Sequence, residues 1–352
     1  MAGSKAIDAD GHIIERTDEL RKYLRSPFDK RGGPLTASEP WDRDLQQTLP
    51  HEPCTFPRAP SAEDWLRLLD DHGIEQVFLY PTALGNVSRI REPEYAVALC
   101  QAYNDYAHDR YAKISNRLRP VAILPFQDPE SAVIELRRAV CDLGCRGAVV
   151  RTTGLRLPLG HKFYDPIYRE AEALGCALAV HGTNGGDELA SGGFETFTEV
   201  HTVSFPVGMF VQFSNMIYQG VPARFPKLRL AFLEIGSTWL PYWLDRMDEH
   251  WEKRGTLETP SLKQRPSACV REHSIFLASK RMRPYCQKPF ATSAKITSST
   301  RPTSHIGTAS SPTICAIPRN ARMYPTRPRI SSCTTTPRHC TRFSVMSQKC
   351  VD

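Results

Sequence analysis

Two places in the sequence put carboxylates and imidazoles where they can share a cation. Residues 7 to 12 read Ile-Asp-Ala-Asp-Gly-His. In a strand the period of two would set Asp8, Asp10 and His12 on one face, and a carboxylate and an imidazole two positions apart can chelate one divalent ion. The second place is Ala177-Leu-Ala-Val-His181, where four apolar residues deliver another imidazole. Taken singly, His12 or His181 reads better as a structural histidine with an ordinary hydrogen bond. Together, at the tips of two strands of one alternating chain, they weigh about evenly for a metal site.

The elements that must position these groups are short apolar runs alternating with helical patterns. Ala6 to Ala9, Gln76 to Tyr80, Val121 to Leu124, Gly147 to Val150, Ala177 to His181 and Leu228 to Leu233 read as buried strands, with Ser274 to Ala278 as a seventh. Ser61-Ala-Glu-Asp64 is a capping pattern ahead of Trp65, Leu66, Leu68 and Leu69. Asp128-Pro129 and Asp165-Pro166 place a cap and a first-turn proline before two further helices, which Gly144 and Gly175 close. Residues 30 to 60, rich in Pro and Gly, read as a long loop. Repeated strand then helix makes a parallel sheet, and seven strands favour its closed form, a (β/α)8 TIM-type barrel, whose catalytic groups hang from the C-terminal strand ends. Arg151 ends the fourth run; it can meet a substrate carboxylate, although a plain ion pair is the commoner role.

At about Ser279 the chain changes character. Residues 1 to 278 carry 37 acidic and 32 basic residues, a net of −5; residues 279 to 352 carry 13 Lys and Arg against Asp352 alone, a net of +12. The second segment has no Leu or Trp, and its 22 Ser and Thr with 8 Pro leave too little apolar surface to offset chain entropy. The expectation is one barrel domain over 1–278 and a disordered or non-native tail over 279–352. The overall +7 is thus no sign of a nucleic-acid surface, because no basic stripe with interleaved aromatics lies in the folded part. No run approaches the ~20 apolar residues of a membrane span, and the first residues lack a signal-peptide core. A cytoplasmic protein is expected, with small-molecule substrates, no nucleic-acid or membrane partner, and a homo-oligomer allowed. Cys54, Cys100, Cys141, Cys145, Cys176 and Cys269 show no paired metal spacing and read as reduced thiols.

Four segments carry a family resemblance: Ile7-Asp-Ala-Asp-Gly-His-Ile-Ile-Glu15, Leu124-Pro-Phe-Gln-Asp-Pro-Glu130, Phe225-Pro-Lys-Leu-Arg-Leu-Ala-Phe-Leu-Glu-Ile-Gly236, and Trp239 to Trp251. From Ile7 to about Ala278 the chain resembles the amidohydrolase-related family, the branch that includes aminocarboxymuconate semialdehyde decarboxylase and the resorcylate decarboxylases. The resemblance implies a distorted barrel with one divalent ion, Zn²⁺ expected and Mn²⁺ the alternative. The implied ligands are Asp10, His12 and His181, with Asp10 standing where many members have His. Where several decarboxylases carry a catalytic His after the sixth strand, this chain has Glu234, which can serve as acid or base, orient a ligand, or merely cap the next helix. His201, ahead of a core helix, can reach the metal or substrate or be a loop residue.

The family also carries an Asp at the tip of its eighth strand, in a motif like Ala-Ser-Asp-Tyr-Pro-His, and this chain has none. Residues Ile296 to Thr308, shifted by one base, are compatible with Asp-Asn-Ile-Val-Tyr-Ala-Ser-Asp-Phe-Pro-His-Trp-Asp. A one-base slip of the reading frame near Ser279 is therefore expected, with Thr303 where the Asp belongs and His305 a coincidence. Two functions compete: a metal-dependent hydrolase or non-oxidative decarboxylase of a small carboxylated or cyclic substrate, and an inactive truncated relic of one. An open barrel would leave two unpaired edges, fray the first strand and weaken metal binding, unless Glu234 replaces the lost Asp.

Overall fold

The computed structural model describes residues 6–36, 59–183, 193–279 and 313–316, all within one compact unit, Met1–Ala321. Seven parallel strand paths follow one another: β1 (Ala6–Ile13), β2 (Ile74–Pro81), β3 (Leu118–Pro120) running on into β4 (Ala122–Ile123), β5 (Gly147–Arg151), β6 (Ala177–His181), β7 (Arg229–Phe232) and β8 (Ile275–Ser279). The ladders run β1-β2-β3 and β4-β5-β6-β7-β8. They divide at Pro120, which has no N–H to give, yet Val121 N still donates to Leu79 O at 2.9 Å, so β2 remains the neighbour of both halves. β5 is buried along its whole length, and β6 over all but its first residue. That explains their unbroken apolar runs, since a parallel sheet is covered on both faces.

The helices expected after Ser61, Asp128 and Asp165 are present. In α1 (Ala62–His72) Ser61 and Asp64 form a reciprocal capping box, and Gly73, at φ 63°, ends the helix in the left-handed region. The next, α2 (Pro93–Ala107), packs Leu99, Tyr103 and Tyr106 into the core. In α3 (Pro129–Cys141) the Asp128 side chain accepts from Glu130 N and Ser131 N; the helix stops three residues before Gly144. Asp165 is the first residue of α4 (Asp165–Ala173) rather than its cap; its carboxylate instead accepts from Arg224 Nη2 at 2.7 Å.

Two expectations are corrected. His201 does not precede a helix: it lies inside α5 (Phe197–Tyr218), whose start is set by a Thr196–Glu199 capping box well ahead of the apolar run that begins at Val207. Pro206 is inside that helix and not at its boundary. The second concerns the open edges. β9 (Thr313–Ala316), from within the tail, pairs antiparallel with β8, Ser279 opposite Thr313 and Phe276 opposite Ala316. The β8 edge is thus satisfied, because unpaired strand N–H and C=O groups will take any extended segment within reach. β9 comes within 8 Å of β1 by Cα separation, yet among the described residues no ladder joins them. Most of the loop over 30–60, Cys54, Thr303, His305 and the rest of the tail lie outside the described residues.

Candidate metal centre

Asp10 and His12 leave the end of β1, His181 ends β6, and Glu234 follows β7 by two residues. One donor atom from each lies within 4.8 Å of all the others. His181 Nε2 is 3.3 Å from His12 Nε2, 3.4 Å from Asp10 Oδ1 and 3.6 Å from Glu234 Oε1. His12 Nε2 is 3.7 Å from Glu234 Oε1 and 3.9 Å from Asp10 Oδ1. The pocket is graded: His181 and Asp10 side chains are 2% and 3% exposed, Glu234 20% and His12 29%. The opening is therefore on the His12 and Glu234 side.

The sequence explains how each arrives. A register shift between Asp8 and Gly11 breaks the simple alternation of β1. Asp8, expected on the same face, turns back to accept from Asp10 N at 3.1 Å and is not one of the four. Gly11 has to be glycine, since a Cβ there would stand 2.5 Å from Val77 Cγ2. Glu234 is the only non-glycine among the described residues with a positive φ, 78°. Such backbone costs an L-residue about 1–2 kcal/mol and persists where the surroundings impose it. It caps no helix: the next one, α6 (Leu240–Glu258), starts at Trp239 without a side-chain cap.

Arg151 is paired in register with His181 across β5 and β6. Its Nη1 donates to Gly182 O at 2.7 Å and touches His181 Nδ1. Its Nη2 donates to Pro81 O at 3.0 Å and Thr82 O at 3.3 Å. Both Nη atoms are thus engaged with backbone carbonyls, and a substrate carboxylate would have to displace those bonds. Gly85 permits this approach, because a Cβ there would collide with the Arg151 guanidinium. Burial first, then the Arg151 charge, hold His181 below the ordinary imidazole range, with Asp10 and Glu234 pulling the other way. His181 Nδ1 sits 2.7 Å from Gly182 O. Nε2 faces the cluster, and for it to bind an ion the ring proton has to sit on Nδ1, toward Gly182 O.

The donor set fits a divalent cation. Asp10 Oδ1 is buried and accepts no hydrogen bond, while imidazole and carboxylate lone pairs converge on it, an arrangement that repels itself without a positive charge. Tetrahedral ligands about 2.1 Å from an ion stand about 3.4 Å apart; the His181 donor lies 3.3 to 3.6 Å from the other three, and His12 is slightly farther from the two carboxylates, at 3.7 and 3.9 Å. His201 is not in the cluster. It lies between the Phe197 and Phe205 rings, tilted to them by 40° and 31° at centroid distances of 5.1 and 4.3 Å, and Phe205 packs against Gly182. Sequence reasoning assigned nothing to Thr82, whose Oγ1 lies 3.4 Å from His12 Nδ1, or to Glu15, which binds the Thr82 amide. The signal that could have found them is their place just past two strand tips.

A TIM-type barrel with a mixed His and carboxylate cage at its C-terminal strand ends defines a metal-dependent class. The Amidohydrolase family profile matches residues 7–287, and the chain belongs to that family. Gamma-resorcylate decarboxylase of Rhodococcus jostii is 36% identical over 128 residues, 34% of this chain and 39% of that protein. The 2-amino-3-carboxymuconate-6-semialdehyde decarboxylase of Dictyostelium discoideum is 26% identical over 190 residues, 53% of this chain and 50% of its own. The chain thus spans half or less of the length of these curated relatives. Dihydroxybenzoic acid decarboxylase of Polaromonas sp. JS666, solved with bound manganese and 2-nitroresorcinol, superposes with a TM-score of 0.55 at 22% identity over 79% of each chain. That likeness shows the fold, and the ion in that relative is manganese rather than the zinc expected from the sequence.

Proposed function

We propose that the protein is a divalent-metal-dependent, non-oxidative decarboxylase of a small carboxylated aromatic compound. The observation that carries this reading is the convergence of Asp10, His12, His181 and Glu234 within 4.8 Å; the named decarboxylases among its relatives support the reaction type over hydrolysis. These four residues would hold the ion, Mn²⁺ or Zn²⁺, and a divalent ion supplies a Lewis acid for an oxygen-bearing substrate. Asp10 and His181 form the closed back of the site. In the reaction the ring–carboxyl bond breaks, its electron pair stays on the ring carbon, that carbon takes a proton, and CO₂ leaves. Glu234, on the open side, is the carboxyl group placed to handle that proton. His201, which packs on the Phe205 ring that lies against Gly182, is the second candidate.

One observation favours a second reading, an inactive relic: among the described residues β1, which carries Asp10 and His12, has a ladder on one side only. Release of CO₂ from gamma-resorcylate by the full chain, with Mn²⁺ or Zn²⁺ supplied and then chelated, separates the two. Metal-dependent release supports the enzyme; background rates with every carboxylated phenol tried leave the relic.

A further inference from the structure

We propose that Glu15 is a positioning residue for both histidines of the metal cage, acting through the backbone of residues 81 to 84; this deepens the proposed function and rests on that reading of His12 and His181. Glu15 stands three residues beyond His12. Its Oε1 accepts from Thr82 N at 3.0 Å and Leu84 N at 3.2 Å, and its Oε2 accepts from Ala83 N at 3.0 Å. One carboxylate therefore gathers three consecutive amides just past β2 and fixes the path of the chain there.

That path ends on both imidazoles. The Thr82 hydroxyl lies 3.4 Å from His12 Nδ1. The carbonyls of Pro81 and Thr82 hold Arg151 Nη2, while Arg151 Nη1 sits on Gly182 O and against His181 Nδ1. Each histidine is thus touched on the nitrogen opposite to the one facing the cage, the place from which ring orientation and proton position are set. Burial pushes the Glu15 carboxyl above its usual range and the three amides pull it back. Replacement of Glu15 by a neutral group leaves amides without an acceptor, so segment 81–84 has to move.

The test is a Co²⁺ titration of the full chain, followed by the visible spectrum, for wild type, Glu15→Gln and Thr82→Val. Gln keeps one acceptor oxygen and presents an NH₂ where the other was. Glu15→Gln is expected to weaken Co²⁺ about 10-fold or more, as loss of a group that orients a ligand does, and to alter the band pattern. Thr82→Val, which touches only His12, is expected to lose less. Wild-type affinity and spectrum in Glu15→Gln overturn the proposal. Long-range ¹H–¹⁵N spectra of the metal-free histidines give the second readout. Wild type is expected to hold the His12 proton on one nitrogen and Glu15→Gln to scramble it between the two; identical spectra overturn the proposal. A wild-type chain that binds no Co²⁺ counts against the proposed function, and the metal-free spectra then decide the role of Glu15 alone.

Discussion

Glu234 shows at one residue how a site is kept at the expense of the fold. Its φ of 78° costs about 1–2 kcal/mol relative to glycine-like freedom, and in the metal-free protein its carboxylate also faces Asp10 in the same cage. Glu234→Gly should therefore leave the metal-free protein as stable as wild type or up to about 1 kcal/mol more so, the strain relief exceeding the added unfolded-state entropy. The same change should remove most metal affinity. Thermal melts in chelator check the first half; a fall in midpoint would show that the backbone there is held for packing instead. At this scale the sequence was partly legible. Asp10, His12 and His181 were readable as residue types at strand tips, and they do converge. Asp8 was not, because a register shift in β1 defeats alternation. The engagement of Arg151 with carbonyls was not either, since those partners are backbone groups at the ends of β2 and β6 that no side-chain pattern announces.

At the scale of elements, strands were the most readable part, because both-face burial writes an uninterrupted apolar run. The start of α5 was not, because Pro206 is a stronger stop signal than the Thr196 and Glu199 capping box is a start signal. A proline is nonetheless tolerated within a 22-residue helix when packing holds the turns on either side. The pairing of β9 with β8 was illegible, since four residues of a Leu-free tail carry no strand signal of their own. What selects them is the open β8 edge. A chain ending at Ser279 should accordingly aggregate more readily than the full chain, through that newly exposed edge. Light scattering after size-exclusion chromatography measures it, and equal monodispersity would mean that β9 protects nothing.

For the whole molecule, the family match runs to residue 287, shortly after the compositional break at Ser279. We propose that the tail is the product of a one-base slip, and resequencing the coding region should show an open alternative frame that restores the Ala-Ser-Asp motif; early stop codons in that frame would end the idea. Without that Asp the cage relies on Glu234 as its fourth donor. No helix among the described residues is long and apolar enough to span a bilayer, in keeping with the absence of a long apolar run in the sequence. Everything functional proposed for this chain requires that Asp10, His12, His181 and Glu234 hold one divalent ion. The most direct measurement is the metal content of the full chain after Mn²⁺ loading and desalting, alongside His181→Ala. The expected result is close to one ion per chain in wild type and most of it lost in the variant; a wild-type chain that retains no metal, or a variant that retains as much as wild type, would contradict it.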